Sequence, residues 1–297
     1  MGTVREEIRV GIDSVECVTT LLQRTRSVHP TAGLYQAADF QWWWRTPRSS
    51  DDLGQLVWFD AAGRPEAAVT FTDWGGGRSA VYEDVTIAVI VMPDASCEWL
   101  AHVVDRGLAH ARAAGIEAVE IEIDRADSVT RDVLTGHGFE VKENGVVEAW
   151  LDADDRPEIS PLHDGYRLAC RLDTTPQPHH MIGRSGPAVE ERLLQTSLYR
   201  ADLDLVVFDH HDDVAAYGLF WFDPVTAAGL VEPMRTEDAH QRRGLARHVL
   251  TAGLDLLAKA GAERISIGYE PANPASGHLY RSVGFEPVKQ TDVFARR

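Results

Sequence analysis

Apolar positions along this chain recur with two periods, and the two periods trade places twice over. Short apolar or alternating runs predict strands at residues 8–12, 55–59, 67–72, 85–91 and 118–123; the run 85–91 is nearly continuous, as in a central strand. Helical spacing governs residues 14–24 and about 95–114, and a short helix ends at Gly136-His137-Gly138 before Phe139-Glu140-Val141. The series then restarts. Strands are expected at 165–172, 203–208, 215–222, 229–234 and 263–269, with helices at 187–198, from Leu245 to about Lys259 and across 273–285. Loops and turns fall at 47–52, 60–65, 173–180 and 209–213, and a glycine-rich turn at 74–78 lies between strands and opens no helix. Trp42-Trp43-Trp44 sits in a mixed segment and suits either core packing or stacking on a ligand.

The restart is a duplication. An ungapped shift of 146 residues lays 114–140 on 260–286, with identities at Ala114/Ala260, Gly115/Gly261, Glu117/Glu263, Ile121/Ile267, Gly138/Gly284 and Phe139/Phe285. The same shift pairs His102/His248, Val103/Val249, Gly107/Gly253 and Leu108/Leu254 in the preceding helix. Two copies of a whole domain form a tandem pair. The acidic, proline-bearing stretch 152–161 reads as the linker, so domains are expected at 1–155 and 156–297.

The second copy carries chemistry that the first has lost. Strand 229–234 runs through a turn into Gln241-Arg242-Arg243-Gly244-Leu245-Ala246-Arg247, where a helix begins. Unpaired N–H groups and the helix dipole make such a start a binding place for anions, and three arginines add charge. It is neither a Walker loop nor a dinucleotide fingerprint. A surface helix with a basic first turn would look the same. At the matched positions the first copy has Glu98 for Gly244 and Leu100 for Ala246, with the arginines gone. Glu232 stands alone in an apolar run, which is costly unless it faces a cleft, solvent or an arginine.

Gln-x-x-Gly-x-Ala after a strand, then Asn273, then Leu279-Tyr280-x-x-x-Gly284-Phe285, resembles the GNAT acetyltransferase superfamily. The resemblance is most specific over 203–285 and extends by duplication to most of 56–140; Ala246 departs from the commoner glycine. It implies a mixed α/β (α+β) fold of two domains, each a mostly antiparallel mixed sheet with splayed central strands flanked by helices. It also implies acetyl-CoA as co-substrate, with its pyrophosphate at Gln241, Arg242, Arg243, Gly244, Leu245, Ala246 and Arg247. The pantetheine arm would lie along Met234, Thr236 and Asn273, and Tyr280 would protonate the leaving thiolate. Glu232 is the candidate base. The expected activity is direct acetyl transfer to a small-molecule primary amine in domain 156–297, with domain 1–155 degenerate and non-catalytic. The tandem layout is also similar to that of mycothiol synthases, which makes a cysteinyl amine one alternative acceptor; a non-catalytic acyl-CoA-binding protein is another.

Composition narrows the partners. Twenty-nine basic against 46 acidic residues give a net charge of −17, which disfavours nucleic acid. No signal peptide or membrane span is expected, and Cys17, Cys97 and Cys170 are too few and too scattered for a disulfide framework or zinc site, so a reducing cytoplasm is the expected home. No metal is expected: the Asp209-His210-His211 cluster reads as a solvated turn, and His179-His180 as a loop touching substrate. A monomer or homodimer would suffice.

Overall fold

The structure, a computed structural model, describes residues 4–75 and 84–296; the 76–78 end of the glycine-rich turn lies outside them. In chain order the strands are β1 (Arg5–Arg9), β2 (Gln55–Phe59), β3 (Pro65–Thr72), β4 (Val85–Val91), β5 (Val119–Asp124), β6 (Glu140–Asp152), β7 (Arg167–Cys170), β8 (Asp204–Phe208), β9 (Val214–Asp223), β10 (Ala228–Thr236), β11 (Arg264–Tyr269) and β12 (Glu286–Ala295). The helices are α1 (Gly11–Val28), α2 (Ala37–Trp44), α3 (Cys97–Ala113), α4 (Ser128–Gly136), α5 (Ile182–Ser185), α6 (Val189–Leu194), α7 (Leu245–Ala260) and α8 (Pro274–Ser282). Among the described residues no helix is long and apolar enough to cross a membrane.

Two compact units share these elements. The first comprises Met1–Phe40, Pro47–Val146 and Lys289–Arg297; the second comprises Gln41–Thr46 and Val147–Val288. The division therefore runs through α2, β6 and β12, and once more after Thr46. Three elements are longer or newer than local periodicity predicts. β6 continues from Glu140 to Asp152 where only Phe139-Glu140-Val141 looked extended, β12 follows Phe285, and the tryptophan cluster is helical. The first half of β6 is exposed and polar, so no alternation marks it; its second half is fixed by antiparallel pairing of Val147 to Asp152 with β11.

Each unit is a mixed α/β layer with the same sheet order. In the first, β1-β2-β3-β4 run antiparallel, β4 pairs β5 in parallel, and β12 pairs β5 antiparallel. In the second, β7-β8-β9-β10 run antiparallel, β10 pairs β11 in parallel, and β6 pairs β11 antiparallel. The parallel pair is short in both: Val85 and Thr86 against β5, and Ala228 to Val231 against β11. Beyond those residues the central strands part, as the splayed-strand reading requires.

Matched positions do matched work. Gly107 in α3 and Gly253 in α7 stand where a Cβ would lie 2.8 Å from Val69 and 2.0 Å from the Phe220 ring, so each helix rests directly on its sheet. Asp127 and Asn273 both cap the following short helix, accepting from Thr130 N at 3.0 Å and Ser276 N at 3.4 Å. The first core gathers Val69, Leu108, Ile121 and Phe139, and the second Phe220, Leu254, Ile267 and Phe285.

Candidate functional site

The site in the second unit is built where β10 leaves β11. From Met234 to Thr236, β10 pairs only with β9, so the edge facing β11 is left without strand partners. An extended chain could add there by main-chain hydrogen bonds. Met234 packs its sulfur toward Gly218, and the Thr236 hydroxyl is buried without a hydrogen-bond partner.

The chain then passes through a 3-10 turn at Asp238–His240 into the start of α7. Gly244 is the cap at φ 77°, a left-handed conformation that also recurs at Arg242, φ 60°. No side chain caps this helix, and the first amide bonded to it is His248 N, which donates to Gly244 O at 3.0 Å. The N–H groups of Gly244, Leu245, Ala246 and Arg247 accordingly have no acceptor among the described residues. Space around the Gly244 Cβ position is open. Arg243 bonds the Tyr166 hydroxyl at 2.6 Å and Arg247 the Ser282 hydroxyl at 2.7 Å, while Gln241 donates to Asp238 at 3.1 Å. Arg242 makes no such bond among the described residues. Uncapped amides, a helix dipole and cationic side chains together suit a phosphate group.

The first unit differs at this very place. Its α3 is capped by Ser96, whose hydroxyl accepts from Trp99 N at 3.2 Å, and Glu98 sits in the first turn. Both oppose an anion there. A cleft of about 480 Å³ does open beside α3, between the ends of β4 and β5 and lined by Met92, Leu100, Ile123 and Lys289 among others. The first unit thus has space between its strands but a capped helix start beside it.

Glu232 on β10 and Tyr280 on α8 are near enough for the charge of Glu232 to act on the phenol. Tyr280, on α8, is buried at 7% exposure, and its ring touches Tyr269 and Phe285 at centroid separations of 5.8 and 6.3 Å. No hydrogen bond holds its hydroxyl among the described residues. Burial, and then the Glu232 charge, push its pKa above the usual phenol range, so it stays protonated at any physiological pH. Burial likewise raises the Glu232 carboxyl, against the opposing pull of Arg45 and of a hydrogen bond from Trp42; Glu270 pushes upward again. Glu232 is half-buried. Its backbone carbonyl accepts the Trp221 indole N–H at 2.8 Å.

Trp42 and Arg45 were not singled out with Glu232 by sequence reasoning. They lie 190 and 187 positions away, and nothing local links them; the only signal was a polar Arg45 one helical turn after Trp42 in a tryptophan-rich segment. Conversely, His179 and His180 do not line an open cleft. Their side chains are 1% and 2% exposed, they stack on one another at 4.6 Å, and each brings Nε2 to 3.0 Å from the Asp204 carboxylate. Tyr199 donates to the same carboxylate at 2.9 Å. Burial alone would raise Asp204, but the imidazoles outweigh it and hold the carboxyl at about 2. These three residues are near enough to share a metal ion. However, His179 Nδ1 accepts Met181 N–H at 3.2 Å, which puts the ring proton on Nε2, toward Asp204, and leaves that ring no lone pair for a cation. At the 209–213 turn, Asp209 accepts from the amides of His211 and Asp213 at 2.8 and 3.0 Å, a turn-stabilising role.

Residues 171–285 match the family model for the acetyltransferase (GNAT) family. Solved structures share the fold over nearly the whole chain. A tandem GNAT protein from the clavulanic acid biosynthesis pathway superposes with a TM-score of 0.70 at 14% identity, covering 99% of this chain and 98% of its own. A GCN5-related N-acetyltransferase from Sphaerobacter thermophilus gives 0.62 at 13%, covering 99% and 95%. An acetyltransferase of the GNAT family from Colwellia psychrerythraea gives 0.59 at 11%, covering 99% and 100%. No curated protein is a significant match in sequence. At such identities the likeness of these structures is one of fold, and the fold is that of two GNAT-like domains in tandem.

Proposed function

We propose, from the match of residues 171–285 to the acetyltransferase (GNAT) family model, that this protein transfers the acetyl group of acetyl-CoA to a primary amine of a small molecule, in its second unit. The observation that carries this reading is the uncapped helix start with free amides at Gly244 to Arg247, with a buried, protonated Tyr280 on the neighbouring α8. The pyrophosphate would rest on the amides of Gly244 to Arg247 with Arg242 and Arg243 alongside. The pantetheine arm would take up the free edge of β10 at Met234 and Thr236. Asn273, whose carbonyl oxygen is engaged as the α8 cap, keeps its amide N–H groups for that arm.

In the transfer itself, Glu232 accepts a proton from the bound ammonium, freeing the nitrogen lone pair to attack the thioester carbonyl carbon. The carbon–nitrogen bond forms, the carbon–sulfur bond breaks, and the electron pair leaves on sulfur. Tyr280 gives its proton to that thiolate and is reprotonated by the second proton that the nitrogen loses once the carbon–nitrogen bond has formed; Glu232 returns the first to solvent, and the amide and free coenzyme A are the products. A protonated phenol and a carboxylate are the pair such a step needs, and the charge of Glu232 helps to keep Tyr280 protonated.

The test is release of free thiol from acetyl-CoA over a panel of small amines, with Glu232→Gln and Tyr280→Phe in parallel. Turnover that falls in both variants supports the assignment. Binding of coenzyme A by calorimetry without turnover on any amine would make the protein an acyl-CoA binder. Coenzyme A found at Ser96 to Leu100 of the first unit, and not at α7, would refute the placement.

A further inference from the structure

In a chain with a net charge of −17, arginines have carboxylates at hand. In the second unit Arg167 lies 2.7 Å from Asp212, Arg171 2.8 Å from Glu190, Arg184 3.0 Å from Glu237 and Arg235 2.8 Å from Asp238. Two arginines at the start of α7 are held differently. Arg243 Nη1 donates to the Tyr166 hydroxyl at 2.6 Å and Nη2 to the Ala239 carbonyl at 3.4 Å. Arg247 Nη1 donates to the Ser282 hydroxyl at 2.7 Å and Nη2 to the Ser282 carbonyl at 3.3 Å. Every one of these acceptors is a neutral oxygen, and neither arginine has an ion pair among the described residues. A guanidinium offers five N–H donors, so both keep donors to give, and both keep a full charge that no carboxylate offsets.

The two anchors are themselves fixed. The Tyr166 hydroxyl lies 3.0 Å from His240 Nδ1, and its ring meets the rings of His163 and His240 edge-on, each at 5.7 Å. Its oxygen accepts from Arg243, which leaves the phenol proton for His240 Nδ1 when the imidazole carries its own proton on Nε2. Tyr166 also packs against the second core. At the end of α8, the Ser282 hydroxyl donates to the Leu279 carbonyl at 2.7 Å, which leaves its lone pairs for Arg247. The turn needs such anchors. Arg243 is exposed and stands between Arg242 at φ 60° and Gly244 at φ 77°, two left-handed residues. A long side chain there would otherwise range over many rotamers. A carboxylate would hold it and neutralise it together; a hydroxyl holds it and leaves the charge.

We infer that Tyr166 and Ser282 are positioning residues for a diphosphate: they hold Arg243 and Arg247 beside the uncapped amides of α7 through neutral oxygens, so that both charges remain for the ligand. This rests on the reading of α7 as the diphosphate site, and deepens it by saying which donors the site favours. A thioester of coenzyme A, which carries the diphosphate, is preferred over one that ends at pantetheine.

The experiment compares two probes on the full-length protein: coenzyme A by calorimetry, and pantetheine, which lacks the diphosphate, by NMR titration. Tyr166→Phe and Ser282→Ala each remove one oxygen. Each should weaken coenzyme A by about fivefold, and the two together by about twentyfold, while pantetheine stays within about twofold of wild type. Ser282→Asp separates holding from charge. It keeps an acceptor for Arg247 but neutralises it, and should weaken coenzyme A more than Ser282→Ala does. Wild-type affinity for coenzyme A in the Tyr166→Phe, Ser282→Ala double variant overturns the inference. So does an equal loss on both probes, which would assign the hydroxyls to the shape of the turn, and so does a Ser282→Asp protein that binds coenzyme A as wild type does. Should Tyr166→Phe not fold, the order of affinities, wild type above Ser282→Ala above Ser282→Asp, decides in its place. Failure of the diphosphate reading looks different: the Arg243→Gln, Arg247→Gln double variant would then bind coenzyme A as wild type does, whereas an inference that fails alone leaves that variant weakened.

Discussion

Replacing Tyr280 by phenylalanine takes away one oxygen atom and leaves the ring in its place between Tyr269 and Phe285. The usual loss of about 0.5–1.5 kcal/mol for a broken hydrogen bond is not incurred, because the hydroxyl has no protein partner among the described residues. A buried polar group is removed as well, so stability should stay within about 0.5 kcal/mol, a shift in Tm of no more than a degree or two. The rate should behave otherwise. Loss of a positioned proton donor costs about 10²–10⁴ in kcat, or about 3–5 kcal/mol of transition-state stabilisation. Thiol release under saturating acetyl-CoA measures the rate, calorimetry with coenzyme A measures binding, and a thermal melt measures stability. Only kcat should fall. As a contrast, Tyr280→Leu copies the residue at the matched place in the first unit, Leu134, and empties part of the ring site; it should lose about 1–3 kcal/mol of stability in addition. A Tyr280→Phe protein that turns over within threefold of wild type would refute the role of the hydroxyl, and a fall in Tm matching the fall in rate would assign the residue to packing.

Other outcomes follow from single positions. Gly244→Glu places at α7 the residue that α3 carries; with open space at the Cβ the conformational cost is only about 1–2 kcal/mol, yet affinity for coenzyme A by calorimetry should drop at least about tenfold. Gly253→Ala sets a methyl 2.0–2.3 Å from the ring of fully buried Phe220, and should lower stability in urea melts by about 1–3 kcal/mol. Asp204 has a folded-state pKa of about 2, below its ordinary value, so its contribution is present above about pH 4 and is lost as pH falls through about 2. Urea melts from pH 7 downward should therefore show wild type and Asp204→Asn differing by about 2–3 kcal/mol near neutrality and converging toward pH 2.

How much of this could be read from the sequence depends on the range of the contact concerned. α7, β11 and α8 were legible because each announces itself within fifteen residues: helical spacing from Leu245, the alternation Ile265-Ser266-Ile267, and a glycine stop at Gly284. The repeat itself was legible, since residues such as Gly107 and Gly253 solve the same packing problem twice, but the order of the strands was not read from it. Other features had no local signature. Which strand Val147 to Asp152 would pair with is a choice among edges, and alternation along the strand does not encode it. The same holds for β12, whose Thr291 to Ala295 pair with β5 of the first unit. His179 and His180 looked like loop residues because their partner, Asp204, opens a strand 25 positions on. Glu232 stood out as a lone charge in an apolar run, but the cation that explains it comes from a different part of the chain altogether.

The partition of the chain has a consequence for how this gene could change. Severing it at the acidic linker would strip the first unit of its last strand, and would take from the second both the edge strand beside β11 and the helix end carrying Trp42 and Arg45. Each half thus completes its sheet with a strand from the other half's stretch of sequence, and that exchange ties the two into one open reading frame.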